Sequence, residues 1–321
     1  MLFGTSCIMR VLLPSPLPTK ATIGIVSPAS PQRDIKRLER GVRYLESLGH
    51  TVVLGKHVLA RSGEYLAGTD EDRCADLESM FADKRIDAVF CARGGYGSAR
   101  LLDRLDYALI RRNPKILVGF SDITSLQMAL LRKTGLVTFS GALPSVDMAD
   151  GFAPESEEWF WRALTSKRPL GPIQQPWPTG VVQRGSAEGP LIGGNLSVFV
   201  TLLGTPYEPP TKGSILLLED IGEETYSIDR MLNHLRQANV LGALNGMITG
   251  EWSQASRRKG STPHREVREV IAEAAEHING PVLSDMMYGH EPLKLTVPFG
   301  VRVRLSSRGS GLRFLEPALR A

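Results

Sequence analysis

The chain has 321 residues, of which 42% are hydrophobic and 22% charged, and it carries a net charge of +4. That length suits two domains with a sizeable core, and the scattered basic residues, Arg257-Arg258-Lys259 apart, form no stripe interleaved with aromatics, so nucleic acid is not an expected partner. No apolar run reaches the length of a membrane span, and the three cysteines (Cys7, Cys74, Cys91) form no Cys-x-x-Cys pair, which argues against a disulfide framework or a zinc site; no cofactor is expected.

Residues 1–20 read as a loose leader, with Met9 as an alternative start. Arg10 and the prolines at 14, 16 and 18 fit a secretory signal poorly, so the expected location is the cytoplasm. A buried strand follows over 22–27 and a helix over 34–48, with Ile35, Leu38, Val42 and Leu45 on one face and Gly49 as its stop. Residues 50–54 form the next strand. A helix over 69–84 opens with Asp70, Glu71 and Asp72, which suit the positive end of its dipole. A strand over 86–92 runs into the glycine-rich loop 93–97, and a helix begins near Ser98.

Residues 116–120 are an apolar strand that stops abruptly at Ser121. Helical spacing resumes at Ile123, Leu126, Ala129 and Leu130. A serine at such a strand-to-helix turn has two readings. It is a preferred helix cap, or it is a nucleophile lifted out of the sheet with backbone N–H groups behind it. The second glycine of Gly-x-Ser-x-Gly is missing, so an ordinary α/β-hydrolase elbow is not matched. A further strand lies at 136–139. Strands alternating with helices predict a mainly parallel sheet with helices on both faces, whose ligands bind beyond the carboxyl ends of the strands. Ser27, Gly94, Gly95 and Ser121 all fall at those ends.

The composition changes after Ala142. Residues 144–188, rich in Pro, Trp and Gly, read as a connection with one helix near 156–164. From 189 onward the elements are shorter: strands near 214–218, 247–252, 281–283, 295–297 and 301–305, with helices near 227–239 and 264–277. The expected division is therefore an α/β domain over 21–143 and an α+β domain with a small barrel-like core over 189–321.

Three stretches have the residue types for chemistry. The loop Arg93-Gly-Gly-Tyr-Gly97 lets backbone approach a ligand closely, and the N–H of Gly95 with that of Asp122 would make a two-donor oxyanion hole. Glu219 ends an apolar strand, where a carboxylate would orient an imidazole. His290 lies in a glycine-flanked loop, Tyr288-Gly-His-Glu-Pro292, the kind of setting in which function concentrates.

Taken in order, Ile23 to Ser30, Gly94-Gly-Tyr-Gly97, Gly119-Phe-Ser-Asp122, Gly193-Gly-Asn-Leu196, Leu218-Glu-Asp220 with Tyr226 and Asp229-Arg230, and Gly289-His290 with Pro298-Phe-Gly300 resemble the LD-carboxypeptidases. These are serine peptidases whose relatives include the microcin C immunity peptidase. The resemblance spans residues 14 to 307. It implies a flavodoxin-like N-terminal domain, a site between two domains, a homodimer and no metal. It casts Ser121 as nucleophile, Glu219 as acid, His290 as base, and the N–H groups of Gly95 and Asp122 as the oxyanion hole. Arg93, Tyr96 and Asn195 are the candidate substrate contacts, Arg93 because a guanidinium matches a terminal carboxylate. The implied substrate is the murein tetrapeptide, losing its terminal D-alanine. The alternative is an immunity-type amidase acting on a peptidyl or aminoacyl nucleotide, which aromatic residues such as Trp252 or Tyr288 near the site would favour. A non-catalytic binder with Ser121 as a mere cap and an ordinary α/β-hydrolase are the remaining readings. Two positions depart from the family pattern: Ser140-Gly-Ala142 stands where His-Gly-Pro is common, and Lys294 where Asn is common.

Overall fold

The computed structural model describes residues 11–255 and 265–321. Met9, Cys7, the run Arg257-Arg258-Lys259 and His264 lie outside the described residues. The first half of the chain runs β1 (Thr22–Val26), α1 (Ile35–Ser47), β2 (Thr51–Leu54), α2 (Asp70–Ala82), β3 (Ala88–Cys91), α3 (Tyr107–Arg112), β4 (Ile116–Gly119), α4 (Thr124–Thr134) and β5 (Thr138–Ser140). The second runs α5 (Pro154–Thr165), β6 (Gly171–Pro172), β7 (Gly180–Gln183), β8 (Ser186–Asn195), α6 (Leu196–Phe199), β9 (Ile215–Ile221), α7 (Thr225–Gln237), β10 (Gly246–Ser253), α8 (Val267–Ala275), β11 (Val282–Ser284), β12 (Val297–Phe299), β13 (Arg302–Ser306) and β14 (Leu312–Phe314).

Two sheets organise these elements. The first has the order β12-β5-β4-β3-β1-β2. Its five N-terminal strands are parallel, in the flavodoxin-like order 2-1-3-4-5. After β2 the chain crosses to the other side of β1, so the switch point lies between β1 and β3, and the loops after β1, β3 and β4 converge there. Local signals explain the boundaries. Asp34 caps α1 by accepting the Lys36 N–H, Thr69 and Asp72 form a capping box on α2, and Gly135 closes α4 at φ +78°.

The second sheet has the order β6-β14-β13-β8-β9-β10-β11-β7. Its centre, β8 to β11, is parallel, and antiparallel strands flank it. Three features differ from the sequence expectation. Near Ser98 there is only a short 3-10 turn, Ser98–Leu101, because Asp106 starts a separate helix by accepting the Leu109 N–H. Residues 144–188, expected as a connection, also supply the edge strands β6 and β7. The ten-residue β8 was not expected at all: its glycines and proline hide a strand whose close packing needs them. A Cβ on Gly193 would fall 1.8 Å from the Leu217 carbonyl oxygen, and one on Gly194 would fall 2.4 Å from Thr124 Oγ1.

The halves are stitched together at the site. β12, from the second half of the chain, pairs antiparallel with β5 and becomes the edge strand of the first sheet. Asn195, at the end of β8, donates its N–H to Thr124 Oγ1 at the start of α4 (3.0 Å). No helix among the described residues is long and apolar enough to cross a membrane.

Candidate active site

Ser121 occupies the turn between β4 and α4 at φ +63°. This left-handed conformation costs a non-glycine residue roughly 1–2 kcal/mol, and such strain clusters at functional sites. The cap reading fails on geometry. Phe120, extended at φ −158°, precedes the first helical turn, and no side chain caps that turn. The Ser121 hydroxyl instead faces His290, with Oγ 3.0 Å from Nε2. His290 Nδ1 lies 2.7 Å from Glu219 Oε2. An ionised carboxylate only accepts hydrogen bonds, so Nδ1 carries the hydrogen and Nε2 is left to accept from the serine.

Each member arrives from a different element. Ser121 follows β4, Glu219 is the fifth residue of β9, and His290 lies between β11 and β12. Pairing of β12 with β5 returns the histidine loop to the serine. Aromatic packing then holds that loop in place: the Phe120 ring sits 4.8 Å from the His290 ring and edge-on to Tyr288 at 5.5 Å. Tyr288 is fully buried, and its hydroxyl lies 2.7 Å from Ser140 Oγ. Thus one of the two departures, Ser140, anchors the histidine loop. Ser140→Ala should leave the phenol without a partner and lower stability by about 1–3 kcal/mol, read as a fall in Tm. The other, Lys294, pairs with Asp147 (2.9 Å) and places its ammonium 4.7 Å from the centre of the Phe120 ring.

Glu219 is wholly buried. Burial pushes its carboxyl above the usual carboxylate range, and hydrogen bonds from His290 and Asn195 oppose that rise. Asn195 was expected to touch substrate. It is only 4% exposed and stands behind the carboxylate. Its Nδ2 donates to Asp220 Oδ1 (2.9 Å) and Glu219 Oε1 (3.3 Å), while its Oδ1 accepts from the Val198 N–H and the Ser197 hydroxyl. All four hydrogen-bonding positions of the amide are used, leaving none for a substrate.

The glycine-rich loop lies directly on the serine. A Cβ on Gly94 would fall 2.9 Å from Ser121 Cβ and 3.4 Å from Oγ. Gly95 adopts φ +119°, with Ser30 Oγ only 2.3 Å from where a Cβ would stand. That hydroxyl accepts the Tyr96 N–H (3.1 Å) and donates to the Tyr65 carbonyl (2.9 Å). Asp122 ties the loop to the elbow: its carboxylate accepts the Ser98 N–H (2.8 Å) and its carbonyl the Ser98 hydroxyl (2.6 Å). Sequence reasoning missed Arg73. This buried residue of α2 donates to the carbonyls of Pro28 (2.7 Å) and Gly97 (2.8 Å), and Asp70 neutralises it. It clamps the loops after β1 and β3, and nothing local in its helical sequence announces the task.

Arg93 is half-buried, donates to the Pro31 carbonyl (3.2 Å) and has no ion-pair partner among the described residues. Its neighbours Arg33 and Arg37 add positive charge. Tyr96 is 53% exposed and packs edge-on against Tyr65. No group of three or more His, Cys, Asp or Glu side chains among the described residues is arranged to hold a metal ion.

Residues 23–141 match the LD-carboxypeptidase N-terminal domain, and residues 188–305 match the LD-carboxypeptidase C-terminal domain. The chain belongs to the LD-carboxypeptidase family. This LD-carboxypeptidase is a serine-type peptide hydrolase. It is 37% identical over 289 residues to the probable murein peptide carboxypeptidase of Bacillus subtilis, covering 89% of each chain. It is 34% identical over 293 residues to the murein tetrapeptide carboxypeptidase of Pseudomonas aeruginosa, covering 88% of this chain and 92% of that one. Among solved structures, the microcin C7 self-immunity protein MccF in complex with aspartyl sulfamoyl adenosine superposes with a TM-score of 0.88 at 27% identity, covering 96% of this LD-carboxypeptidase and 99% of MccF.

Proposed function

We propose that this LD-carboxypeptidase hydrolyses the L,D-peptide bond joining the terminal D-alanine to the diamino acid of murein tetrapeptides. The observation that carries the mechanism is the Ser121–His290–Glu219 chain of contacts at 3.0 and 2.7 Å, with the serine held in a strained turn. In this reading His290 Nε2 takes the proton of Ser121 as Oγ attacks the scissile carbonyl. The developing oxyanion is met by the N–H groups of Gly95 and Asp122. His290 then gives the proton to the departing D-alanine nitrogen. Water, activated by the same imidazole, releases the peptide from the acyl-enzyme. Glu219 holds the imidazole tautomer and balances its charge. Arg93 is the candidate receptor for the terminal carboxylate, since no carboxylate among the described residues occupies it. The family resemblance adds a cytoplasmic homodimer serving peptidoglycan recycling.

Gly95→Ala tests the oxyanion hole without touching the triad. The φ of +119° and the Ser30 hydroxyl oppose a Cβ, so the loop must shift and carry its N–H away. The expected result is a fall in kcat of about 10²–10³-fold, the cost of losing one such donor.

A second reading is favoured by Trp177 and Trp252, which line one cleft beside the histidine loop and would suit a nucleobase. It makes the chain an amidase of aminoacyl or peptidyl nucleotides. The deciding experiment follows D-alanine release from a murein tetrapeptide and, in parallel, hydrolysis of aspartyl sulfamoyl adenosine. Release of D-alanine with an inert nucleotide supports the carboxypeptidase. The reverse pattern transfers the assignment to the amidase.

A further inference from the structure

Glu251 is a carboxylate that the mechanism leaves without a task. It lies near the end of β10, against the histidine loop: a Cβ on Gly289 would fall 2.8 Å from Glu251 Cβ and 3.0 Å from its Oε2. That oxygen is buried and accepts no hydrogen bond among the described residues. Leaving a buried acceptor unpaired costs about 1–3 kcal/mol, more when it is charged. Burial first, then the carboxylates of Glu291 and Glu219, push the Glu251 carboxyl up to about 7, against opposing pulls from Lys294 and the Glu291 N–H. Lys294 does not cure the deficit, because its ammonium is already paired with Asp147.

Glu251 opens on a cleft of about 750 Å³ whose walls include Glu291, Asp285, Ser253, Trp177 and Trp252. Three of its lining residues are acidic, and no lysine or arginine is among the described lining. A second observation points the same way. Ser253, only 5% exposed, lines this cleft, and its hydroxyl has no partner among the described residues. Acceptors without donors, beside negative charge and aromatic faces, make a receptor for a cation.

We propose that this cleft seats the free side-chain ammonium of the diamino acid on the N-terminal side of the scissile bond, with Glu251 as its counter-ion and Ser253 as a second acceptor. The inference rests on the carboxypeptidase reading above and names the feature of the substrate that it selects. The position suits it, since Glu251 lies against the loop that carries the catalytic His290. A primary amine is protonated near neutrality. Its arrival places a positive charge beside the Glu251 carboxylate and holds it ionised.

The test uses two synthetic tetrapeptides, L-alanyl-γ-D-glutamyl-L-lysyl-D-alanine and the same peptide acetylated on the lysine side chain. D-alanine release gives kcat/KM for each at pH 8. Wild type should prefer the free amine by about tenfold or more, chiefly through KM. In Glu251→Gln, which keeps the side chain's shape, that ratio should fall towards one, and in Ser253→Ala it should fall part of the way. Below pH 7 the Glu251 carboxyl becomes neutral, so the wild-type preference should decline between pH 8 and 5.5. A wild-type ratio near one, a preference unchanged in Glu251→Gln, or a preference flat across that pH range would each overturn the subsite. Turnover of both peptides with no discrimination removes the subsite but keeps the carboxypeptidase. Turnover of neither removes both. Should Glu251→Gln fail to fold, the wild-type pH dependence alone decides between a working subsite and none.

Discussion

Ser121→Ala should reduce D-alanine release by on the order of 10⁶-fold, because a triad without its nucleophile retains only binding and the oxyanion donors. The structure adds a second, independent expectation about stability. Ser121 is held at φ +63°, and alanine at that position would suffer the same steric penalty as serine. Glycine would not. Ser121→Gly should therefore be as inactive as Ser121→Ala yet more stable than it by about 1 kcal/mol, visible as a Tm higher by roughly 2 °C in a protein of this size. The pair separates two claims that one variant would merge. Residual activity in Ser121→Ala within tenfold of wild type would remove the serine from the mechanism. Equal melting temperatures for the alanine and glycine variants would mean that the elbow stores no strain. Activity lost together with stability raised would show a position where conformational comfort has been given up for reactivity.

That elbow was legible in the sequence because its signals are local. The apolar run over 116–120 ends at a serine, and helical spacing resumes within three residues. The same holds for the capped helices α1 and α2 and for the parallel strands, where runs of four or five apolar residues alternate with amphipathic helices. What stayed hidden was set by distant partners. β8 reads as a loop because it contains Gly189, Gly193 and Gly194, yet the last two let it press against β9 and Thr124. The return of β12 to the first sheet, which brings His290 to Ser121, pairs Val297 with Ser140 across half the chain and leaves no periodic trace. Asn195 illustrates the limit for side chains. Its place in a Gly-Gly-Asn motif marks it as important, but only coordinates show that it grips Glu219 and Asp220 from behind. Glu251 carried no signal at all, since an acceptor lacking a donor is a property of packing.

Asn195 also sharpens the prediction for the acid. Glu219→Gln should lower kcat by about 10⁴-fold, the scale seen when a triad carboxylate becomes an amide and the histidine takes the wrong tautomer. The structure says why the tautomer would be wrong. Glu219 Oε1 receives a donor from Asn195 at 3.3 Å, and Oε2 faces His290 Nδ1 at 2.7 Å. A glutamine would keep its oxygen towards Asn195, where a donor awaits it, and turn its NH₂ towards the imidazole. Nδ1 must then accept, the hydrogen moves to Nε2, and the serine faces a donor in place of a base. If this is the cause, removing the Asn195 donor should free the amide to rotate, and Asn195→Ala/Glu219→Gln should be more active than Glu219→Gln alone. A double variant no better than the single would sink the tautomer account. Stability should move the opposite way from rate. Burial raises the Glu219 carboxyl pKa, so ionising it in the folded state carries a penalty present above that raised pKa and absent below the ordinary carboxylate range. Glutamine has no charge to bury. Glu219→Gln should thus melt higher than wild type at pH 8, with the difference closing as the pH falls towards 4. A lower melting temperature at pH 8 would mean that hydrogen bonds from His290 and Asn195 outweigh the cost of burial.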